Sequence, residues 1–374
     1  KKFDLAIADY TEAITHNPNH FRALNNRGMA LRELRRFDEA IEDFGDCVDL
    51  KPDFADGYLN KALTHLMIGD YKIGWKLYEH RWSSANFTSK KRDFDKPLWV
   101  GTQSLSGKTI LLHSEQGLGD SLQFCRYIKN FTKLKCRVLL EIESPLLGIM
   151  ENLLPVAQIF KKDSSLPTFD FHCPLMSLPL AFNTTVETIP FSSSYLAADR
   201  DRIRWWQEHL GKKKNPRIGL VWRGNPEHPK DQRRSIELAS IVNKLTPDFD
   251  WYSLQLEISD EEKYLIDQNT HLTHFGPLLG DFAETAALCK VLDAVVCVDT
   301  SIAHLCGAIG LPVHLLLGFN ADFRWHAEGE TTPWYMTTRI YRQETDRCWQ
   351  RPLQLAIDKI RTSHELCLNQ QQTT

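Results

Sequence analysis

The pattern of apolar and polar residues changes character along this chain. As far as residue 82, apolar residues recur at helical spacing. From residue 107 onward, short continuous apolar runs alternate with amphipathic segments. This second pattern is typical of strands that are buried on both faces of a parallel sheet and connected by helices. The sequence therefore predicts a helical N-terminal segment followed by α/β structure.

The N-terminal segment repeats with a period of 34 residues. Predicted helices cover residues 3–16, 22–35, 37–50, 55–69 and 71–82. Residues of one kind recur at this spacing: Ala6 and Ala40, Tyr10 and Phe44, Ala13 and Cys47, Gly28 and Ala62, and Pro18 and Pro52. Small residues let paired helices approach closely, and the aromatic residue fills the groove between them.

This pattern resembles the tetratricopeptide repeat (TPR). The resemblance implies about two and a half repeats, in which residues 3–16 are the second helix of a repeat, so we expect the chain to be truncated at its N-terminus. Such repeats stack and present a concave face to a peptide or protein. The alternative is that these few repeats only buttress the next domain.

Changes in composition predict the domain boundaries. Residues 1–82 are the repeats, and the polar residues 83–106, with Lys90, Lys91 and Arg92, form a linker. An N-terminal Rossmann-like domain follows at 107–211 and a second one at 212–345, and the stretch from Gly211 to Pro216 marks the boundary between them. Residues 346–374 form a C-terminal helix, predicted over 349–366, and a frayed tail.

The first α/β domain carries a glycine turn after its first strand. The strand is predicted over 108–113, and Gly117 and Gly119 precede Asp120 in the first turn of a helix over 121–131. Glycines at the carboxyl end of a strand allow a ligand to approach the backbone. The turn lacks the G-x-G-x-x-G and P-loop patterns, which argues against a dehydrogenase. The alternative role for Asp120 is a helix cap, worth about 0.3–1 kcal/mol.

The second α/β domain places polar residues at its predicted sheet edge. Strand Ala294–Val298 runs into Asp299, Thr300 and Ser301, and a helix follows as far as Gly310, before the next strand, Val313–Leu317. A helix start offers free N–H groups and partial positive charge to an anion.

Basic residues follow the first strand of this domain, which is predicted over 218–222. They are Arg223, Lys230, Arg233 and Arg234. Arginine beside a helix start favours a diphosphate. The alternatives are an ordinary capped connection and a solvated basic loop.

Composition narrows the class of protein. The chain has 374 residues and a net charge of −3, so bulk charge does not favour nucleic acid as a partner. No apolar run is long enough to span a membrane. Nine scattered cysteines favour free thiols in a reducing compartment, and we therefore expect a cytoplasmic protein. The 14 histidines form no metal-ligand pattern, so we expect no metal.

Five motifs carry a resemblance to a known family. They are the stretches 113–120 (HSEQGLGD), 219–226 (GLVWRGNP), 281–287 (DFAETAA), 298–305 (VDTSIAHL) and 333–335 (PWY). Together with the repeats, they resemble bacterial TPR glycosyltransferases. The catalytic half is similar to heptosyltransferases and, more distantly, to O-GlcNAc transferase. The resemblance implies a GT-B fold, in which two Rossmann-like domains face a cleft.

The resemblance also implies residue roles. Asp120 corresponds to the proposed general base, and Asp299, Thr300, Ser301 and His304 to the motif that holds the phosphates of a nucleotide sugar. The predicted nucleotide-sugar site comprises Gln116, Gly117, Gly119, Arg223, Asn225, Arg233, Arg234, Gln255, Asp299, Thr300, Ser301 and His304. Spacing alone does not rank the three arginines.

The resulting hypothesis is a metal-independent hexosyl- or heptosyltransferase without a cofactor. It moves a sugar from a nucleotide-sugar donor to a hydroxyl acceptor, which we expect on a protein or peptide bound by the repeats. One alternative is a TPR scaffold with an inactive or sensing transferase-like half. Another is a transferase that acts on a lipopolysaccharide-type glycan.

Overall fold

The computed structural model describes residues 2–87, 89–191, 193–227 and 231–372, with side chains as far as residue 364. Lys230 and residues 373–374 of the predicted tail lie outside the described residues. The chain forms two compact units. Unit 1 comprises Lys1–Gln116, Phe169–Ile189 and Asn320–Gly329, and unit 2 comprises Gly117–Thr168, Pro190–Phe319 and Glu330–Thr374. The domain boundaries predicted from composition remain predictions.

The described α-helices are α1 (Phe3–His16), α2 (Phe21–Glu33), α3 (Phe37–Leu50), α4 (Ala55–Met67), α5 (Tyr71–Tyr78), α6 (Leu118–Phe124), α7 (Leu147–Met150), α8 (Leu178–Ala181), α9 (Arg200–Leu210), α10 (Leu238–Val242), α11 (Asp260–Asp267), α12 (Phe282–Lys290), α13 (Ser301–Ile309) and α14 (Gln350–Gln372). The described strands are β1 (Thr109–His113), β2 (Arg137–Ile142), β3 (Ala157–Lys161), β4 (Phe171–Pro174), β5 (Arg217–Val221), β6 (Asp250–Ser253), β7 (Leu272–His274), β8 (Ala294–Val298), β9 (Val313–Leu317), β10 (Thr331–Thr332) and β11 (Tyr335–Arg342).

The predicted helical repeats are confirmed in unit 1. Helices α1 and α3 have the predicted bounds, and α2 and α4 differ from prediction by one or two residues at their ends. Phe44 is fully buried, and a Cβ at Gly28 would lie 2.8 Å from its Cε1 atom. The small residue at this repeat position therefore makes room for the aromatic ring of the next helix. In the same unit, β1 and β4 pair in parallel.

Unit 2 contains a seven-stranded sheet in the order β10-β11-β9-β8-β5-β6-β7. All neighbouring strands are parallel except β10 and β11. Strands β8 and β9 have the predicted bounds, and β8 is buried throughout. Gly310 ends α13 in a left-handed conformation with φ of 75°, which glycine adopts without strain. The prediction of a parallel, doubly wound sheet is confirmed.

Three helix predictions were wrong in extent. The predicted helix over 71–82 is α-helical only to Tyr78 and continues as a 3₁₀ helix, Glu79–Ser83. The predicted helix over 121–131 is α-helical only to Phe124 and continues as a 3₁₀ helix, Cys125–Lys133. Side chains compete there for the backbone acceptors, because Tyr195 Oη donates to Leu122 O at 2.8 Å and Arg126 Nε donates to Gln123 O at 2.9 Å. Helix α14 extends past 366 to Gln372, since the intervening sequence contains no glycine or proline.

No described helix combines the length and apolar character that crossing a membrane requires.

Candidate functional site

The winding direction of the sheet in unit 2 reverses between β5 and β8. From β5 the chain moves to β6 and β7 on one side, and it then returns to β8 and β9 on the other side. Strands β5 and β8 are neighbours, with Val221 paired to Cys297 near their carboxyl ends. Ligands of open α/β sheets bind where the winding direction reverses in this way. The loops after β5 and β8, which carry Arg223 and Asp299, therefore meet at the expected ligand position.

The start of α13 combines a buried hydroxyl with a helix N-terminus that has no side-chain cap. Thr300 occupies the N-cap position, with φ of −140° and ψ of 173°, but its side chain makes no capping hydrogen bond. Its Oγ1 atom is buried and has no hydrogen-bond partner among the described residues. A buried hydroxyl without a partner is costly, and a helix start leaves N–H donors unpaired. The hydroxyl and the N–H groups could each donate a hydrogen bond to an anionic oxygen.

Arg234 is the arginine that contacts this helix start. Its Nη1 atom donates to the carbonyl oxygen of Asp299 at 2.8 Å, and its Nε atom lies 3.0 Å from Asp231 Oδ1. Gly224 is required for this packing, because a Cβ there would lie 2.5 Å from Asp231 Oδ1 and would overlap the Arg234 guanidinium. The loop after β5 is thus fastened to the end of β8 by a cation.

Arg223, unlike Arg234, forms its ion pair with a carboxylate of helix α11. Its guanidinium forms two 3.0 Å hydrogen bonds to the carboxylate of Glu262 and a 2.7 Å hydrogen bond to Glu257 O. Glu262 also accepts a hydrogen bond from Trp222 Nε1 at 2.6 Å. Burial would raise the pKa of Glu262, but the hydrogen bonds from Arg223 and Trp222 lower it. The Arg223 charge is therefore matched by a carboxylate of α11.

The other predicted residues of this edge contact backbone groups of the same unit. Gln255 is buried, and its Oε1 atom accepts the Arg223 N–H at 3.4 Å. Asn225 Oδ1 accepts the N–H of Glu227 at 2.9 Å, which is a local turn contact. The carbonyl of Arg233 faces Gly318, where a Cβ would lie 2.6 Å from it.

The glycine turn of the first α/β segment lies against α13. Helices α6 and α13 pack together, and a Cβ at Gly119 would lie 2.8 Å from His304 Cδ2 and 3.5 Å from the Cα atom of Ser301. Asp120 Oδ2 accepts the Gly117 N–H at 2.9 Å, as a capping carboxylate does. The fold thus brings Gly119 next to His304, although 185 residues separate them in sequence.

Gln116, the remaining predicted site residue, belongs to unit 1. Its Oε1 atom accepts a hydrogen bond from Tyr78 Oη at 3.2 Å. The preceding Glu115 binds Arg81 through Nε at 2.9 Å and Nη2 at 3.0 Å. Sequence reasoning missed this fixed ion pair, as well as Tyr335, whose Oη lies 2.9 Å from His304 Nδ1. The stretch from Pro333 to Tyr335 was noticed only as a family motif.

Within the described residues, no group of three or more His, Cys, Asp or Glu side chains is arranged to hold a metal ion.

The matches to known proteins cover either the N-terminal repeats or most of the chain. Residues 1–53 match the family model of the tetratricopeptide repeat. Hsp70-Hsp90 organizing protein 3 of Arabidopsis thaliana is 32% identical over 79 residues, which are 21% of this chain and 14% of that protein. Protein FlbA of Caulobacter vibrioides is 24% identical over 375 residues, which cover 92% of this chain. The chain spans 62% of the length of FlbA.

Among solved structures, the glycosyl transferase family 9 protein from Veillonella parvula superposes with a TM-score of 0.52 at 10% identity. The superposition covers 70% of this chain and 98% of that structure. At this identity, the likeness concerns the fold. The chain therefore begins with tetratricopeptide repeats and continues as an α/β part with the fold of a family 9 glycosyltransferase.

Proposed function

We propose that this protein is a glycosyltransferase that moves a sugar from a nucleotide-sugar donor to a hydroxyl group without a metal ion. The observation that carries the proposal is the junction of α6 and α13, where the turn bearing Asp120 lies against the helix start at Thr300 and Ser301. A glycosyl transfer needs a base for the acceptor and positive potential for the leaving diphosphate. The junction supplies a carboxylate and a helix start within one unit.

The donor's diphosphate would rest on the start of α13. The Thr300 hydroxyl, the first N–H groups of the helix and the partial positive charge of its N-terminus would stabilise it. Arg234, which already contacts the backbone of Asp299, would add a full positive charge. These groups are fixed before the ligand arrives, which makes their electrostatic stabilisation effective in the transition state. They would do the work that a divalent cation does in other transferases.

Asp120 would act as the general base. Its carboxylate is held by the Gly117 N–H, so its orientation is set by the turn itself. It would accept the proton of the acceptor hydroxyl while that oxygen forms a bond to the anomeric carbon and the nucleoside diphosphate departs.

The acceptor we propose is a hydroxyl on a protein or peptide held by the repeats. Two points support it: the match to a repeat family whose stacked helices present a concave face, and a relative whose name refers to organising two other proteins. A cytoplasmic location belongs to the same proposal, because the eight described cysteines are all free thiols, as a reducing compartment favours.

The first test is a thermal-shift screen with UDP, GDP, ADP and TDP. A nucleoside diphosphate at 100 times its dissociation constant stabilises the protein by about 2.7 kcal/mol. We expect one of the four to stabilise the full chain, and the shift to shrink for Thr300→Val. A failure of all four to stabilise the protein would contradict a diphosphate site at α13.

The second test measures the transfer of a sugar to a protein. The chain is incubated with the corresponding nucleotide sugars and candidate proteins, and mass spectrometry detects an added sugar. Modification of a glycan with no modified protein would replace the acceptor class by a lipopolysaccharide-type substrate. Nucleotide binding without hydrolysis or transfer would instead favour a scaffold.

A further inference from the structure

A buried arginine lies behind the candidate site in unit 2. Arg126 is 0% exposed, and its guanidinium donates to Trp334 O at 2.9 Å and to Tyr195 Oη at 3.2 Å. The rings of Tyr195, Trp334 and Tyr335 surround it, with centroids 4.6, 5.2 and 4.8 Å from its Cζ atom. A buried cation needs hydrogen-bond acceptors and π faces, and this cluster provides both.

Tyr335 connects this arginine to the site. Its ring is 1% exposed and lies on α13 at Gly307, where any Cβ would overlap the ring. Its Oη atom lies 2.9 Å from Nδ1 of His304. His304 in turn touches the glycine turn, since a Cβ at Gly119 would lie 3.5 Å from its Nε2 atom. The chain of contacts therefore runs from Arg126 through Tyr335 to His304 and on to the turn that carries Asp120.

The direction of the hydrogen bond between Tyr335 and His304 follows from the charges. An arginine can only donate, and its positive charge beside the phenol favours the phenol oxygen as an acceptor on that side. Burial raises the pKa of Tyr335 to about 12, although Arg126 acts in the opposite direction. The phenol thus keeps its proton at neutral pH, and Arg126 offers that proton no acceptor.

We infer that Tyr335, oriented by Arg126, is a positioning residue that fixes His304 in the tautomer with its proton on Nε2. His304 then presents an N–H donor on the ring edge that faces the glycine turn. The group that such a donor recognises is an anionic oxygen. Under the proposed function, on which this last step rests, that oxygen belongs to the donor's diphosphate at the start of α13.

The direct test reads the tautomer. The full chain is labelled with ¹⁵N-histidine, and long-range ¹H–¹⁵N spectra distinguish protonated from unprotonated ring nitrogens; His304→Gln assigns the signals. We expect wild-type His304 to carry its proton on Nε2, and Tyr335→Phe to raise the population protonated on Nδ1. A wild-type His304 with its proton on Nδ1 overturns the inference, and this reading of the wild-type chain does not depend on whether Tyr335→Phe folds.

The chain offers a matched control. Tyr341 Oη lies 2.8 Å from Nδ1 of His314 in the same unit, so Tyr341→Phe removes an equivalent hydrogen bond elsewhere. It should change the His314 signals and leave those of His304 unaltered. A loss of the His304 tautomer in both variants would show a general loosening of the unit, which overturns a specific role for Tyr335.

The functional consequence is measured with inorganic pyrophosphate, which carries the diphosphate alone. Calorimetry should show about tenfold weaker binding for Tyr335→Phe and unchanged binding for Tyr341→Phe, because a hydrogen bond to a charged group is weakened in the first variant only. Equal affinities in both variants, with the Nε2 tautomer present, would remove the diphosphate from the inference. Absence of any pyrophosphate or nucleotide binding would instead count against the proposed function, and the tautomer result would stand.

Discussion

Asp120 combines a structural contact with a proposed chemical role, and substitution can separate the two. Asparagine keeps an oxygen that accepts the Gly117 N–H, so Asp120→Asn should preserve the turn while it removes the base. We expect turnover to fall by about 10²–10⁴-fold with nucleoside diphosphate affinity maintained. Initial rates and calorimetry measure the two quantities.

The control for this substitution is Asp199→Asn. Asp199 caps α9 by accepting the N–H groups of Asp201 and Arg202, at 3.0 and 2.9 Å. Asp199→Asn should leave turnover unchanged. If Asp120→Asn behaved like Asp199→Asn, Asp120 would be a cap and not a base.

Substitution should also distinguish the roles of Arg234 and Arg223 in the loop after β5. Arg234→Met removes the cation at Asp299, and we expect nucleoside diphosphate affinity to fall about tenfold or more. Arg223→Met should leave affinity nearly unchanged but lower the free energy of unfolding by about 1–3 kcal/mol, because it deprives the Glu262 carboxylate of its partner. Calorimetry and urea unfolding measure both variants. Equal loss of affinity in the two would contradict this division of roles.

Residue identity and spacing placed all three arginines in one basic loop. The sequence did not reveal the partner of each arginine. The ion pair of Arg223 depends on Glu262, which lies on α11, and the contact of His304 depends on Tyr335 at the start of β11. Both pairings form only when the sheet brings distant segments together. Asp120 and Thr300 could be predicted from sequence. Asp120 directly follows the glycine turn, and Thr300 lies two residues after the end of strand β8.

At the scale of elements, two histidines on strands should make stability depend on pH. Burial lowers the pKa of His113, at the end of β1, from 6.5 to about 3, and that of His314, on β9, to about 4. Both groups are neutral in the folded chain and take up a proton on unfolding below about pH 6.5. Their contribution is therefore complete above pH 6.5 and is lost as the pH falls, by about 1.4 kcal/mol per pH unit for each.

Urea unfolding at pH 7.5, 6 and 5 measures this slope. In His113→Gln the loss of stability with acid should be smaller than in the parent chain by one histidine's contribution. His16→Gln is the matched control, because the side chain of His16 is 79% exposed and should leave the slope unaltered. A slope that His113→Gln does not change would contradict the role assigned to burial.

The elements themselves differed in how well their sequence specified them. Strand β8 is a continuous apolar run bounded by polar residues, and its bounds were read correctly from that pattern. The extent of the helix after the glycine turn was predicted incorrectly. Tyr195 and Arg126 donate to backbone carbonyls that a longer α-helix would use as acceptors. Local periodicity carries no information about such a competing donor from another segment.

At the scale of the whole molecule, the repeats share unit 1 with the strand that precedes the glycine turn. Arg81, just after α5, is fully buried and binds Glu115, Glu79 at 2.8 Å and Ser177 Oγ at 2.8 Å. Glu115 also accepts the N–H of Met176 at 3.1 Å. Burial would lower the pKa of Arg81, but Glu115 and Glu79 raise it. The third repeat, residues 55–82, is thus a structural part of this unit, and the proposal of a peptide-binding face is independent of that role.

A double-mutant cycle tests how firmly this cluster holds unit 1 together. Arg81→Met leaves the carboxylate of Glu115 buried without its cation, and Glu115→Met leaves the cation without its main partner, so each should lower the free energy of unfolding by about 3–5 kcal/mol. The double variant replaces the pair by two apolar side chains, and we expect it to be more stable than either single variant. Urea unfolding measures all four proteins, with the exposed pair Lys51 and Asp53, replaced in the same way, as the control. Additive losses at Arg81 and Glu115 would mean that the two charges act independently, and the ion pair would then not be what joins the third repeat to the segment that leads into the glycine turn.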